Sequence, residues 1–128
     1  MAKVDGGACD RRGYGDEGEE ATARLLESQG YQIRSRNFRC RYGEIDLVAE
    51  KDDTICFVEV RMRSSAIWGD PSNSVSWAKQ RRVVKAALHY LLAYGVRGKM
   101  IRFDVVSVIG RGRDAVLEHL PNAFDAGM

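Results

Sequence analysis

The sequence predicts an α/β fold built on a mixed sheet, and three observations carry that prediction. Two apolar runs, 44–50 and 54–61, stay hydrophobic on successive positions instead of alternating, as strands covered on both faces do. Only Lys51 and the turn residues Asp52 and Asp53 separate them, and so short a connection makes the pair antiparallel. A long helical pattern, about 74–94, then intervenes before another apolar run at 101–109. Such a strand–helix–strand crossover is expected to be right-handed and to join parallel strands.

The remaining elements follow in order. Residues 1–13 are polar and glycine-rich and read as a flexible tail ahead of one domain over 14–128. A helix is expected over about 16–29, with Asp16 as N-cap, Glu19 at the capping-box position and Gly30 as the stop. Ala21, Leu25 and Leu26 give it an apolar face. Residues 31–37 alternate Tyr31, Ile33 and Ser35 with Gln32, Arg34 and Arg36, the pattern of a half-exposed strand. Gly43 breaks the chain before the 44–50 strand. After 54–61, residues 62–74 form a loop with Gly69, Asp70, Pro71 and Ser72 as turn formers. The long helix carries a stripe of Val83, Ala87, Leu91 and Tyr94 that runs back through Gln80 to Ser76, and Gly95 ends it. A last apolar stretch, 115–120, reads as an edge strand. The order is α-β-β-β-α-β, with one further strand.

Composition narrows the functional classes. The chain has 128 residues, enough for one core, with 45% hydrophobic and 30% charged residues. No apolar stretch approaches a membrane span, and Met1 to Arg12 lacks the apolar centre of a secretory signal. Cys9, Cys40 and Cys56 are widely spaced and form no CxxC pair, which argues against a zinc site or disulfide framework and fits a reducing cytoplasm. Gly13-Tyr14-Gly15-Asp16-Glu17-Gly18 matches a dinucleotide fingerprint, but no strand precedes it and carboxylates crowd the helix end that would receive a pyrophosphate. Net charge is only +2, yet the cations are clustered. Arg34, Arg36, Arg39 and Arg41 form one group, Arg61 and Arg63 a second, and Lys79, Arg81, Arg82 and Lys85 a third. All three flank the two apolar strands, which points to a phosphate-binding surface.

Each apolar strand also carries a carboxylate, Asp46 in the first and Glu59 in the second. Burying an unpaired carboxylate costs several kcal/mol or shifts its pKa. If the strands pair through the Asp52-Asp53 turn, positions 46 and 59 come close to opposite one another, with Asp46 on a face shared with Glu44 and Val48. Two carboxylates so placed repel unless a proton or cation lies between them. Oxygen ligands of this kind suit Mg²⁺ or Mn²⁺. Arg61 lies two positions beyond Glu59 on the same strand face, placed to neutralise charge on a phosphate. Gln80 faces inward on the long helix, where it can orient a water or a phosphate, and Glu19 offers a third carboxylate. Structural readings compete with each of these. Glu59 can form a buried ion pair with Arg61 or a helix cation, Glu19 can serve the capping box, and Gln80 can bond backbone. Trp68 and Trp77 are expected in the core, with base stacking as the other reading. His89 and His119 have no partner visible in the sequence.

The quoted residues resemble a known pattern. Gly18-Glu19 with Ala21, Arg36-Asn37, Gly43-Glu44-Ile45-Asp46-Leu47, Phe57-Val58-Glu59-Val60-Arg61 with Arg63, Gly69, Lys79-Gln80, Arg102-Phe103-Asp104 and Asn122-Ala123-Phe124 look like the bacterial YraN-like family. The resemblance runs from about Gly15 to Phe124. That family is placed in the PD-(D/E)XK nuclease superfamily and is most similar to archaeal Holliday-junction resolvases. The resemblance implies a restriction endonuclease-like αβββαβ core and a metal site at Asp46 and Glu59, joined by Glu19 from the first helix. The family usually has lysine where Arg61 stands. Arginine stays protonated and cannot act as a base, though it can stabilise developing charge. The expected function is therefore a Mg²⁺- or Mn²⁺-dependent endonuclease-like protein acting on DNA, including branched DNA. Asp46, Glu59, Arg61, Glu19 and Gln80 would form the catalytic group, and Arg34, Arg36, Arg39, Arg41, Arg63, Lys79 and Arg82 the nucleic-acid grip. Junction resolution would call for a homodimer. The alternatives are a non-catalytic nucleic-acid-binding module of the same fold and an interaction scaffold.

Overall fold

A computed structural model describes residues 14–63 and 75–126, with side chains from Glu17 onward. The expected tail over 1–13 and most of the expected loop over 62–74 lie outside the described residues. The order of elements is α1 (Tyr14–Ser28), β1 (Gln32–Cys40), β2 (Gly43–Lys51), β3 (Thr54–Arg63), α2 (Trp77–Ala93), β4 (Met100–Ile109), a short 3-10 turn (Gly112–Asp114) and β5 (Val116–Phe124). This is the mixed α/β class with the α-β-β-β-α-β order. β1, β3 and β5 run further than their patterns foretold, and Met62 and Arg63 belong to β3.

The strands form one sheet in the order β1-β2-β3-β4-β5. β1–β2, β2–β3 and β4–β5 are antiparallel, and the crossover pair β3–β4 is parallel. Asp52 (φ 50°) and Asp53 (φ 66°) both adopt left-handed backbone, the geometry of a two-residue hairpin turn whose twist matches the strands. The central strands are buried on both faces because each face has a helix. On one face Val48, Ile55, Phe57 and Phe103 pack with Val83, Val84, Ala87 and Tyr90 of α2. On the other, Leu47, Ala49, Cys56, Val58 and Val106 pack with Ala23 and Leu26 of α1. Phe57 lies against Tyr90 and Phe103, with ring centroids 5.7 Å away in both cases.

Two packing expectations need correction. The buried stripe of α2 is Val83, Val84, Ala86, Ala87 and Tyr90, while Tyr94 is exposed. Tyr94 caps the helix as it ends, and its ring lies over Tyr90 at the rim of the core rather than inside it. Trp77, expected in the core, is 73% exposed at the head of α2. No helix among the described residues is long and apolar enough to cross a membrane.

Candidate functional site

Strand direction decides which residues meet. β1 and β3 end, and β2 begins, at one end of the sheet, where the crossover also starts α2. Asp46 near the start of β2, Glu59 and Arg61 near the end of β3, and Lys79 in the first turn of α2 therefore converge there. Ser76 fixes that first turn by accepting a hydrogen bond from the Lys79 amide at 3.1 Å.

Asp46 interrupts β2. The β1–β2 register pairs Arg36 with Leu47 and Phe38 with Ile45, which sets Asn37, in left-handed backbone at φ 52°, opposite Asp46. Ile45 consequently packs on the α2 side with Val48, and Leu47 on the α1 side with Ala49. Simple alternation, which put Asp46 on the face of Glu44 and Val48, fails at this point because the kink at Asn37 flips the pleat. The β2–β3 ladder runs as far as Leu47–Val58. Beyond it the Asp46 carboxylate accepts a hydrogen bond from the Val60 amide at 2.8 Å.

Glu59 is buried, and Asp46 raises its proton affinity. Desolvation first, then repulsion by Asp46, pushes the Glu59 carboxyl up to about 7, against the opposing pull of Lys79 and Arg61. Lys79 Nζ stands 3.3 Å from Glu59 Oε2, and Arg61 Nη1 4.0 Å from the same oxygen. The helix cation is thus the closer of the two. Pattern reading gave Lys79 to the nucleic-acid grip because its reach across the crossover is not written in local sequence.

The other expected site residues divide. Glu19 is buried on α1. Among the described residues no three His, Cys, Asp or Glu side chains gather so as to hold a metal ion. Gln80 donates its side-chain amide to the Val75 carbonyl at 3.0 Å, which is the backbone-bonding role that competed with orienting a water or phosphate. Arg34 lies at the opposite end of the sheet, where it donates to Glu50 at 2.8 Å and to the Tyr90 hydroxyl at 3.2 Å. Arg36 pairs with Glu20 at 2.7 Å and Arg39 with Glu44 at 3.0 Å. Such exposed pairs contribute about 0–1 kcal/mol and exchange readily for a phosphate. Arg41 covers the Tyr42 ring in the β1–β2 turn, Arg63 ends β3, and Arg82 is exposed on α2 beside Gly43.

A second charged cluster escaped sequence reading. Asp104, fully buried in β4, accepts two hydrogen bonds from Arg102 at 2.9 and 2.8 Å, one from the Asn122 amide at 3.0 Å, and meets His119 Nε2 at 2.8 Å. Burial alone would raise this carboxyl, but His119, Arg102 and the Asn122 amide together carry it below its ordinary value. With every lone pair engaged, Asp104 fastens β5 to β4. Arg102, Asp104 and Asn122 stood in the sequence as parts of two motifs of the family resemblance, with nothing to join the two motifs to each other or to His119.

The donor set at the sheet end is two buried carboxylates, and Glu59 holds its proton more tightly than usual because of its burial first and the nearness of Asp46 second. A Mg²⁺-type ion, which keeps several waters and takes one or two protein carboxylates, fits that set. What the fold and site define is a mixed α/β protein with an acid pair and two cations at one end of its sheet. The sequence model of the uncharacterised protein family UPF0102 matches residues 18–108. The chain is similar to a UPF0102 protein of Myxococcus xanthus, 66% identical over 120 residues that cover 94% of this chain and 95% of the relative. It is similar to UPF0102 proteins of Persephonella marina, 42% identical over 87% of this chain and 92% of the relative, and of Desulfosudis oleivorans, 45% identical over 92% and 94%. The chain belongs to the UPF0102 family, which is the YraN-like family that its motifs resembled.

Proposed function

We propose that this protein is a Mg²⁺- or Mn²⁺-dependent endonuclease-like protein of the PD-(D/E)XK kind that acts on DNA phosphodiesters, branched DNA included. The observation that carries the reading is the meeting of buried Glu59 with Asp46, Lys79 and Arg61 at one end of the sheet. Asp46 and Glu59 would hold the ion, which when bound polarises a phosphoryl oxygen and lowers the pKa of a coordinated water. Lys79 and Arg61 neutralise charge on the phosphate. The ion pair Lys79 makes with Glu59 keeps its ammonium at the acid pair, so a cation is at hand although arginine occupies position 61. Arg63, Arg82 and Arg41 extend a positive surface from the site, and Arg36 and Arg39 join it by exchanging their surface pairs. Arg34, at the far end, takes no part.

Cleavage of branched and linear DNA with Mn²⁺, run on the wild type, Asp46→Ala and Glu59→Ala, tests the reading. Mn²⁺-dependent cleavage lost in both variants supports it. Cleavage surviving both substitutions overturns the mechanism. The Lys79–Glu59 pair also favours a second reading, in which the same surface binds nucleic acid without cutting and the acid pair is offset internally. Salt-sensitive but metal-indifferent binding, with no Mn²⁺ uptake by calorimetry, would select that reading.

A further inference from the structure

Trp77 opens α2 with most of its ring in water. Tryptophan carries one of the largest apolar areas of any side chain, and here it packs into neither core cluster. Arg81, one turn on, holds its guanidinium 5.6 Å from the indole centroid and is itself anchored by donating to the Ala126 carbonyl at 2.7 Å. A fixed cation therefore backs the ring. A second pair of the same kind, Arg41 over the exposed Tyr42 at 5.5 Å, sits in the β1–β2 turn, where Gly43 approaches Arg82 of α2.

The charge around the indole selects its occupant. α2 contains Lys79, Arg81, Arg82 and Lys85 and no acidic residue. Packing this face on a second copy of itself would bring cations together, whereas an anionic polymer is drawn to it. Aromatic rings interleaved with cations are the means by which proteins hold single-stranded nucleic acid, the cations following the backbone and the rings stacking on bases. Bases inside a continuous duplex are stacked on each other and offer no free face.

We propose that Trp77, backed by Arg81, is a stacking platform for an unpaired base, so that the preferred nucleic acid has a single-stranded segment beside the Glu59 site. This rests on the nucleic-acid reading above and specifies its substrate class. Trp77 and Lys79 stand two positions apart in the first turn of α2, about 3 Å along its axis, and their side chains leave the helix on different sides, so a strand with a phosphate at Lys79 crosses the head of the helix to reach the indole.

The test uses the full chain with an oligo-dT strand longer than a site of about 4–16 nucleotides and a blunt duplex of the same length. The emission of Trp77, taken as the difference between wild type and Trp77→Phe, should be quenched by oligo-dT. Trp77→Ala should weaken oligo-dT binding about tenfold, leave duplex binding unchanged, and be partly rescued in Trp77→Phe, which keeps an aromatic face. Undiminished oligo-dT binding by Trp77→Ala, or an equal loss on duplex, overturns the platform. So does emission that ignores oligo-dT but shifts with protein concentration as a dimer forms, which would give the face to a second copy. Failure of every variant to bind either probe removes the nucleic-acid reading itself; duplex binding with a silent Trp77 removes only the platform.

Discussion

Replacing Glu59 by glutamine should stabilise the protein at alkaline pH in the absence of divalent ions. The folded protein holds the Glu59 carboxyl at about 7 against an ordinary value of 4.5, so between those values the native state binds the proton and the unfolded chain has lost it. Stability therefore falls as pH rises from about 4.5 and has lost its full share above about 7. Each pH unit of displacement is worth about 1.36 kcal/mol, which makes the cost at pH 8 about 3 kcal/mol. Glutamine has the shape of the protonated acid and no charge to desolvate, and Lys79 is exposed enough to turn to water. For a chain of this size about 3 kcal/mol corresponds to roughly 10 °C in Tm. Thermal unfolding in EDTA should show Glu59→Gln melting near wild type at pH 5 and well above it at pH 8. Saturating Mn²⁺ should raise the Tm of wild type at pH 8 and leave the variant unmoved. A variant that melts below wild type at pH 8 in EDTA would refute the reasoning, because the Lys79–Glu59 pair would then stabilise more than burial and repulsion cost.

Other substitutions separate the remaining parts. Asp46→Asn keeps an acceptor for the Val60 amide and removes the charge, so a carbon-detected NMR titration should find the Glu59 carboxyl moved back toward 4.5, with Mn²⁺ uptake weakened. Asp46→Ala strands that amide as well and should cost a further ~1–3 kcal/mol in urea unfolding. Asp104→Ala leaves Arg102 and the Asn122 amide without their acceptor and should destabilise by about 3–5 kcal/mol. The folded Asp104 carboxyl lies below 3.8, so the stability it contributes is present above that pH and fades as acid carries the solution toward the folded value; the gap between wild type and Asp104→Asn should narrow there. Phe57→Ala empties space against Tyr90 and Phe103 and should cost about 3–5 kcal/mol, read as a lower urea midpoint with an unchanged slope.

Local chemistry made most of this architecture readable. The Asp52-Asp53 turn announced the hairpin, glycines at 30 and 95 marked the helix ends, and apolar runs covered on both faces required helices on both sides. Asp46 and Glu59 stood out because a carboxylate among branched apolar residues is conspicuous at any level of description. What escaped depended on contacts between distant segments. Asparagine tolerates left-handed backbone better than most residues, but the alternating pattern around Asn37 read as plain strand, and that conformation reverses the pleat at Asp46. A helix cation was one expected partner of Glu59, but which one could not be read until the crossover delivered Lys79 to it. Arg34 looked equivalent to Arg36 and Arg39, but the length of β1 carries it to the other end of the sheet. Asp104, His119 and Arg102 form a cluster only because β5 returns antiparallel beside β4.

Both outer strands are spoiled as templates for another strand. β1 carries the Asn37 kink and a register shift between Ile33 and Ser35. β5 carries Pro121, which has no amide to offer, and Asn122 at φ 56° beside the break between Phe103 and Val105. Each rim thus has an asparagine bend where a straight, hydrogen-bonding edge would invite aggregation or peptide addition. Growth of the sheet from molecule to molecule is blocked on both sides. Among the described residues, the helices and the end of the sheet where β3 stops are thus better placed to receive a partner than a strand pairing along either rim.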